Sequence, residues 1–349
     1  MLLITLRDLQ FRAFRFAVVI FATALVFTML LLMTGLSDQF EREPRSTVAL
    51  FRADTWVLRD GASGAFTSAA TIVASVADQI KTKGTVDPLV LARHSMRVDG
   101  GDAEDIVVVG VQRGGLATPE VNAGKPAKRS REVVVADNGE VEPGGKVVIG
   151  PITYRVAGTT PDATMFAGMP LVFMSLNDAQ KLLYRGEDLV TAFLVRGEVE
   201  KLASDLQSVP NEAISEDAIR PLERSISSIN LIRALLWVVA GMIIGAVVYL
   251  SALERQRDFA VLKAVGGSNG ALLVGLALQG MLIALLAGVT AVGLQYLLVP
   301  VFPLDVYVPT STLVQLPVVA VGVSLVASLA GLKRVAKADP VAAFGGPGT

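Results

Sequence analysis

Polar and apolar positions in this chain segregate into long blocks instead of alternating on a short period. Four blocks contain no Asp, Glu, Lys or Arg: residues 16–37, 234–253, 264–304 and 306–332. Each can supply the roughly 20 apolar residues that a helix needs to cross a bilayer core of about 30 Å. The third is too long for one span, and Pro300, Pro303 and Pro309 punctuate its far side, so its helix is expected to end near Val299. The pattern predicts four transmembrane helices, over residues 16–37, 229–253, 270–299 and 312–332. Between the first two lies a charged stretch of mixed pattern that, at about 200 residues, is domain-sized.

Within that stretch the period shortens. The runs "TWVLR" (55–59), "DIVVVGV" (105–111), "EVVVA" (132–136) and "PLVFMSL" (170–176) are rich in β-branched and aromatic residues and bounded by Gly, Asp or Pro, so they read as strands. "KVVIGPITYRVAG" (146–158) reads as a hairpin turning at Gly150-Pro151. Helices are expected at 68–81, at 177–183 with Asn177 as cap, and at 199–207. The fold class is thus an α-helical membrane protein with four transmembrane helices and a mixed α/β domain inserted between helices 1 and 2. Pro221 suits a first helical turn, and Leu222, Ile226 and Ile229 follow at helical spacing. A helix starting there can run straight into span two, just as residues 38–43 can prolong span one. The inserted domain, 38–228, would then carry two stalks continuous with membrane helices. Residues 1–15 read either as an amphipathic helix on the inner membrane surface or as a plain basic flank.

Composition supports the membrane assignment: 52% of residues are hydrophobic and the mean hydropathy is +0.56, above the range of ordinary soluble domains. Arg7, Arg12 and Arg15 precede the first span, but its apolar run exceeds a signal-peptide core and no A-x-A-like site follows. An uncleaved first helix is expected. Charge then sets orientation. Outside 38–233 the nine Lys and Arg fall in the N-terminal tail, the loop 254–269 and the tail 333–349, against four acids there, while the loop 300–311 carries Asp305 and no cation. Basic short loops stay in the cytoplasm. Both termini and the loop 254–269 are therefore expected inside a bacterial cell (inner) membrane, with residues 38–228 and the loop 300–311 outside.

Several chemistries are missing. There is no cysteine, and His94 is the single histidine, so no His-based triad or metal cluster can form. The Gly-Lys pairs in "NAGKPA" and "PGGKVV" lack the phosphate-cradling spacing, so the chain carries no ATPase motif of its own. No metal, no bound cofactor and no nucleic-acid partner is expected. The four charge-free blocks 16–37, 234–253, 264–304 and 306–332 hold no Asp, Glu, Lys, Arg or His, whereas a route for polar cargo usually needs one. Gly241 and Gly245 form a G-x-x-x-G, either a close helix contact or ordinary glycines of a membrane helix. The loop "LERQRDFAVLKAVGGSNGALL" (253–273) can form a short helix ended by Gly266-Gly267. By itself it is either a positive-inside anchor or a docking element for a cytoplasmic protein.

That loop resembles the E-R-x-x-E-[IF]-[AG]-[VIL]-L-[RK]-A-[LVI]-G-[AG]-[ST] segment of the FtsX/MacB-like ABC transporter permeases, with Asp258 where Glu is more frequent. "VAKADPVAAF" (335–344) is similar to the family's C-terminal ending, and "TYRVAGTTPDATMFAGMPLVFMSLNDAQKLL" (153–183) to its extracytoplasmic core domain. The DevC-like permeases, type VII transporters with a separate ATPase, look nearest, and the inserted domain is shorter than in MacB proper.

The resemblance implies that Glu254, Arg255, Asp258, Phe259, Leu262, Lys263 and Gly266 belong to a coupling helix that meets a cytoplasmic ATP-binding subunit. ATP and magnesium would be bound in that subunit. It also implies a homodimer of the permease in the lipid bilayer, with an extracytoplasmic adaptor as a further partner. Mechanical work would be delivered outside the membrane, exporting or extracting a lipid, peptide or drug-like substrate. The alternatives are a membrane-anchored sensor or scaffold, or a regulator of a cell-wall enzyme.

Overall fold

The computed structural model describes residues 13–254 except 99, 138, 140 and 162, then 261, 269–299 and the single positions 312, 318, 321, 322, 325 and 326. The predicted amphipathic helix 1–15 up to residue 12, the loop 300–311, nearly all of span 312–332 and the tail lie outside the described residues. Contact clustering divides the chain into two compact units, Gln39–Ser225 and Met1–Asp38 with Ile226–Thr349. The helices are α1 (Ala13–Leu50), α2 (Leu176–Tyr184), α3 (Asn211–Ile219), α4 (Glu223–Glu254) and α5 (Asn269–Leu298).

Among the described residues, three helical stretches are long and apolar enough to cross a membrane: Ala13–Leu50, Asn211–Glu254 and Val274–Leu298, with mean hydropathies of 2.7, 2.4 and 2.0 in their most apolar windows. Their shared core consists of Ala24, Phe27 and Leu31 of α1, Ala240, Ile244, Val248 and Ala252 of α4, and Leu276, Ala284, Ala287 and Ala291 of α5. The α4 members recur every fourth residue, so they form one stripe of the helix. Alanine is abundant because only small side chains let helix backbones approach closely in lipid.

In the other unit the strand pairings close a ring of six strands. Ala103–Val111 lies parallel to Met169–Ser175; the ring continues through Glu132–Ala136, Ile152–Thr160 and Lys146–Ile149, and returns along Thr85–Val98. Alternate residues fill its inside: Ile106 and Val108, Val172 and Met174, Val133 and Val135, Tyr154 and Val156, Val147 and Ile149. Such alternation is the pleat's doing, since neighbouring side chains on a strand point to opposite faces. The odd-face partners Val107, Val109, Val134, Leu171 and Phe173 join a second core with Phe51, Trp56, Leu194 and Ile214. The 14-residue strand Thr85–Val98 serves both layers, because its first half also pairs with Ala192–Arg196, which in turn pairs with Thr55–Arg59.

The expected strands at 55–59, 105–111, 132–136 and 170–176 and the hairpin at Gly150-Pro151 are present, with Gly150 at φ +58° and Ile149 opposite Ile152. Three local expectations are corrected. Residues 68–81 are not an α-helix: Ile72–Val73 pairs with Leu189–Val190 and Lys81–Thr82 pairs with Val199–Lys201, leaving a 3-10 turn at Ala74–Gln79. Strand pairing claims both ends, and the seven residues between, Ala74 to Ile80, are too few to sustain an α-helix. Residues 199–207 are likewise the strand Val199–Lys201 and the start of Leu206–Pro210, which pairs with Thr55–Arg59. Cross-strand partners outweigh the helical spacing of Val199, Leu202 and Leu206. The cap of α2 is Ser175, not Asn177: its Oγ accepts the N–H of Asp178.

Candidate functional site

The expected site residues that the structure describes lie at a helix end and on the flank of a helix seam. Glu254 is the last residue of α4, and its carboxylate is ion-paired with Arg15, near the start of α1. Arg255, Asp258, Phe259, Leu262, Lys263 and Gly266 lie outside the described residues. Val261, between them, is helical and exposed. Gly241 and Gly245 are each half-buried, one position on from Ala240 and Ile244, which are nearly inaccessible. The tightest contact of α4 is therefore carried by the Ala-Ile-Val-Ala stripe, with the glycines on its flank.

Polar contacts besides the Arg15–Glu254 pair also cross the helix seams. Gln279 Nε2 of α5 donates to Ser251 Oγ of α4 at 3.0 Å, both side chains being buried. Thr28 Oγ1 of α1 bonds to its own helix at Ala24 O, 2.7 Å, and also lies 3.3 Å from Ala291 O of α5. In hydrocarbon a polar group without such a partner is costly, so each contact fixes the rotation of one helix against another. Apolar periodicity gives no signal for these pairs.

The C-terminal turns of α1 pack within the sheet unit. From residue 41 to 50 the helix buries Glu43, Pro44, Thr47 and Val48 and exposes the positions between, a helical period. Glu43, 2% exposed, accepts the backbone N–H of Ala167 through Oε2 and of Gly168 through Oε1, each at 2.8 Å. The hairpin it holds, between Thr164–Met165 and Met169–Ser175, turns through three left-handed residues: Phe166 (φ +56°), Ala167 (φ +71°) and Gly168 (φ +90°). Non-glycine residues there cost roughly 1–2 kcal/mol each, and the charge-assisted pair of hydrogen bonds offsets it. Thr47 adds a hydrogen bond to Thr164 O, and Arg93 stacks 3.8 Å from the centre of the Phe166 ring.

A second anchor holds α2 to the strand Glu132–Ala136. Asp178 accepts hydrogen bonds from Ser130 Oγ (2.7 Å), Ser175 Oγ (2.7 Å) and Arg131 N (3.0 Å). Burial pushes its carboxyl up, but these donors outweigh burial and hold it below the ordinary range. Burial, and then the Asp178 charge, push the Tyr154 phenol up to about 12.

With this geometry in view, the chain's relatives are informative. Residues 230–340 match the FtsX-like permease C-terminal family. An "uncharacterized ABC transporter permease" of Mycobacterium tuberculosis strain H37Rv is 38% identical over 353 residues, covering 99% of this chain and 100% of the relative. One of Mycobacterium bovis is 37% identical over 350 residues, with 99% and 100% covered. More distant is a "putative hemin transport system permease protein" of Staphylococcus haemolyticus, 19% identical over 352 residues, covering 97% of this chain and 98% of the relative. Among solved structures, the periplasmic region of MacB from Actinobacillus actinomycetemcomitans aligns with a TM-score of 0.34 at 12% identity, over 46% of this chain and 90% of that one. Full-length identity at this level places the chain among ABC transporter permease subunits. It belongs to the ABC transporter permeases, with an FtsX-like permease C-terminal region over residues 230–340.

Proposed function

We propose that this permease couples ATP hydrolysis by a separate cytoplasmic subunit to mechanical work outside the membrane, exporting or extracting a lipid, peptide or drug-like substrate. The observation that carries the reading is the character of the helix seams. Residues 16–37, 234–253 and 270–299 hold no Asp, Glu, Lys, Arg or His, and the seam between the described helices is filled mainly by Ala, Leu, Ile, Val and Phe, with Thr28, Ser251 and Gln279 as uncharged polar members. A packed apolar seam transmits displacement and offers polar cargo no path. Residues 38–228 work on the outside in this reading, both termini lie in the cytoplasm, and two permease copies pair in the membrane.

Glu254 and Arg15 fix where the coupling segment leaves α4, while Arg255, Asp258, Phe259, Leu262 and Lys263 meet the ATPase and Gly266 ends the segment. Hemin transport, named for the staphylococcal relatives, falls within the drug-like class.

The test is co-purification of the ATP-binding subunit with Phe259→Ala and Arg255→Glu permeases, together with substrate-linked ATP hydrolysis. Losing an aromatic anchor commonly costs about 2 kcal/mol or more at an interface, so Phe259→Ala is expected to lose most of the bound ATPase. Membrane insertion should persist, because Arg257 and Lys263 still hold the loop inside. Full binding and coupling in both variants would reduce the loop to a topology signal.

A further inference from the structure

The sheet unit contains a half-open cleft of about 370 Å³, away from the Glu43 latch and unused by the mechanism above. Its floor is built from Val111, Val134 and Phe173, all buried. These come from three adjacent strands: Phe173 pairs with Val134 on one side and Val109 on the other, and Val111 follows at the end of that parallel neighbour. The rim carries Arg113, Lys128 and Arg129, the only charged side chains among the described residues that line the cleft, all exposed and all cationic.

The rim is held in place. Glu132 Oε2 accepts the backbone N–H groups of both Lys128 and Arg129 at 2.9 Å, which engages the nearest carboxylate with main chain. Arg113 and Lys128 have no salt-bridge partner among the described residues, and the Arg129 charge lies near Glu132. The neighbouring carboxylate of Asp178 is 4% exposed and saturated by its three donors.

We propose that this cleft is a binding site for a single-chain amphipathic anion, whose apolar body lies on the Val111, Val134 and Phe173 floor while its carboxylate or phosphate meets Arg113, Lys128 and Arg129. The volume falls in the range of small-ligand pockets, about 300–1,000 Å³. Two guanidinium groups and an ammonium around one opening suit a single anionic head, which arginine binds in bidentate fashion. The floor rejects a bare anion, since it offers apolar surface that only hydrocarbon can cover favourably. Taking this ligand as the transported substrate rests on the reading in the preceding subsection; the existence of the site does not.

The experiment uses the full chain, without any ATPase, in nanodiscs of zwitterionic phosphatidylcholine. A palmitate bearing a terminal photoreactive diazirine is the probe, and cross-links are mapped by mass spectrometry. Cross-links are expected in the peptides containing Val111, Val134 or Phe173. Labelling there should fall about tenfold for the probe's methyl ester, and as much for the wild-type probe on an Arg113→Glu, Lys128→Glu, Arg129→Glu variant, the loss expected for one hydrogen-bonded charge contact. Unlabelled palmitate should compete and inorganic phosphate should not. Cross-links confined to the membrane helices, equal labelling by acid and ester, or displacement by phosphate alone would each overturn the proposal. The ester comparison needs no variant, so misfolding cannot mask the answer. Failure here leaves ATPase coupling intact, and a failed pull-down leaves this site intact.

Discussion

Single residues in the sheet unit carry charge into places where it has to be matched. Asp178 has its folded pKa held below the ordinary carboxylate value of about 3.9. The sign follows: the unfolded chain binds this proton more readily, so the stabilisation is complete above about pH 4 and is lost as pH falls through the lower, folded value. Asp178→Asn should lower the unfolding free energy at pH 7 by about 2–3 kcal/mol, the scale of hydrogen bonds to a charged acceptor. It should also flatten the acid limb of thermal stability measured between pH 6 and pH 3; an unchanged acid limb would detach Asp178 from that behaviour. At the other anchor, Glu43→Ala removes the carboxylate that accepts the partly buried N–H of Ala167 and the exposed N–H of Gly168 and should destabilise by about 1.5–3 kcal/mol, the scale of hydrogen bonds to a charged acceptor. Ala167→Gly should stabilise by about 1 kcal/mol, because glycine adopts φ near +71° without a Cβ clash. Chemical denaturation of the two variants checks both signs.

Among the elements, α1 and α4 change character along their length, and that change was only partly visible in the chain. The apolar runs and the strands at 55–59 and 132–136 were legible because each has one dominant period. The C-terminal turns of α1 were legible as helix as far as Glu43 but not from Pro44 to Leu50, and nothing about "QFEREPRST" says that Glu43 will face a left-handed turn. The segments 68–81 and 199–207 misled because their helical spacing was overridden by partners distant in sequence, Leu189–Val190 and Thr55–Arg59. Helix α4 begins with exposed polar residues around Ser227 and continues without a break to Glu254. Ser227→Pro should kink it at a local cost of about 3 kcal/mol. ATP hydrolysis with the partner subunit should then persist while transport fails, and surviving transport would mean that this stretch is not the lever.

For the whole molecule, orientation is the property on which the proposed mechanism depends. The absence of cysteine allows single thiols to be placed freely. Labelling intact cells with a membrane-impermeant maleimide should modify Lys125→Cys and spare Ser268→Cys, and the reverse pattern would invert the topology. The two positions sample the domain and the loop between spans two and three, so the outcome bears directly on where work is delivered.

By itself the sequence determined the membrane character, three of the long apolar helices, the mixed α/β domain and the resemblance carried by residues 253–273. These follow from block hydropathy, local period and a contiguous run of residues, all of which are properties of neighbours in the chain. Only the tertiary structure decided which small residues close the helix seam, which strands close into a ring, and which carboxylates meet which backbone donors. Ala240 and Gly241 look alike in a list but differ by a 100° rotation about the helix axis. Glu43 and Ala167 are 124 residues apart and become partners only when α1 lies along the hairpin. The cleft lined by Val111, Lys128 and Phe173 likewise exists because a parallel strand pairing brings distant segments together, a contact whose energy depends on burial that no local pattern records.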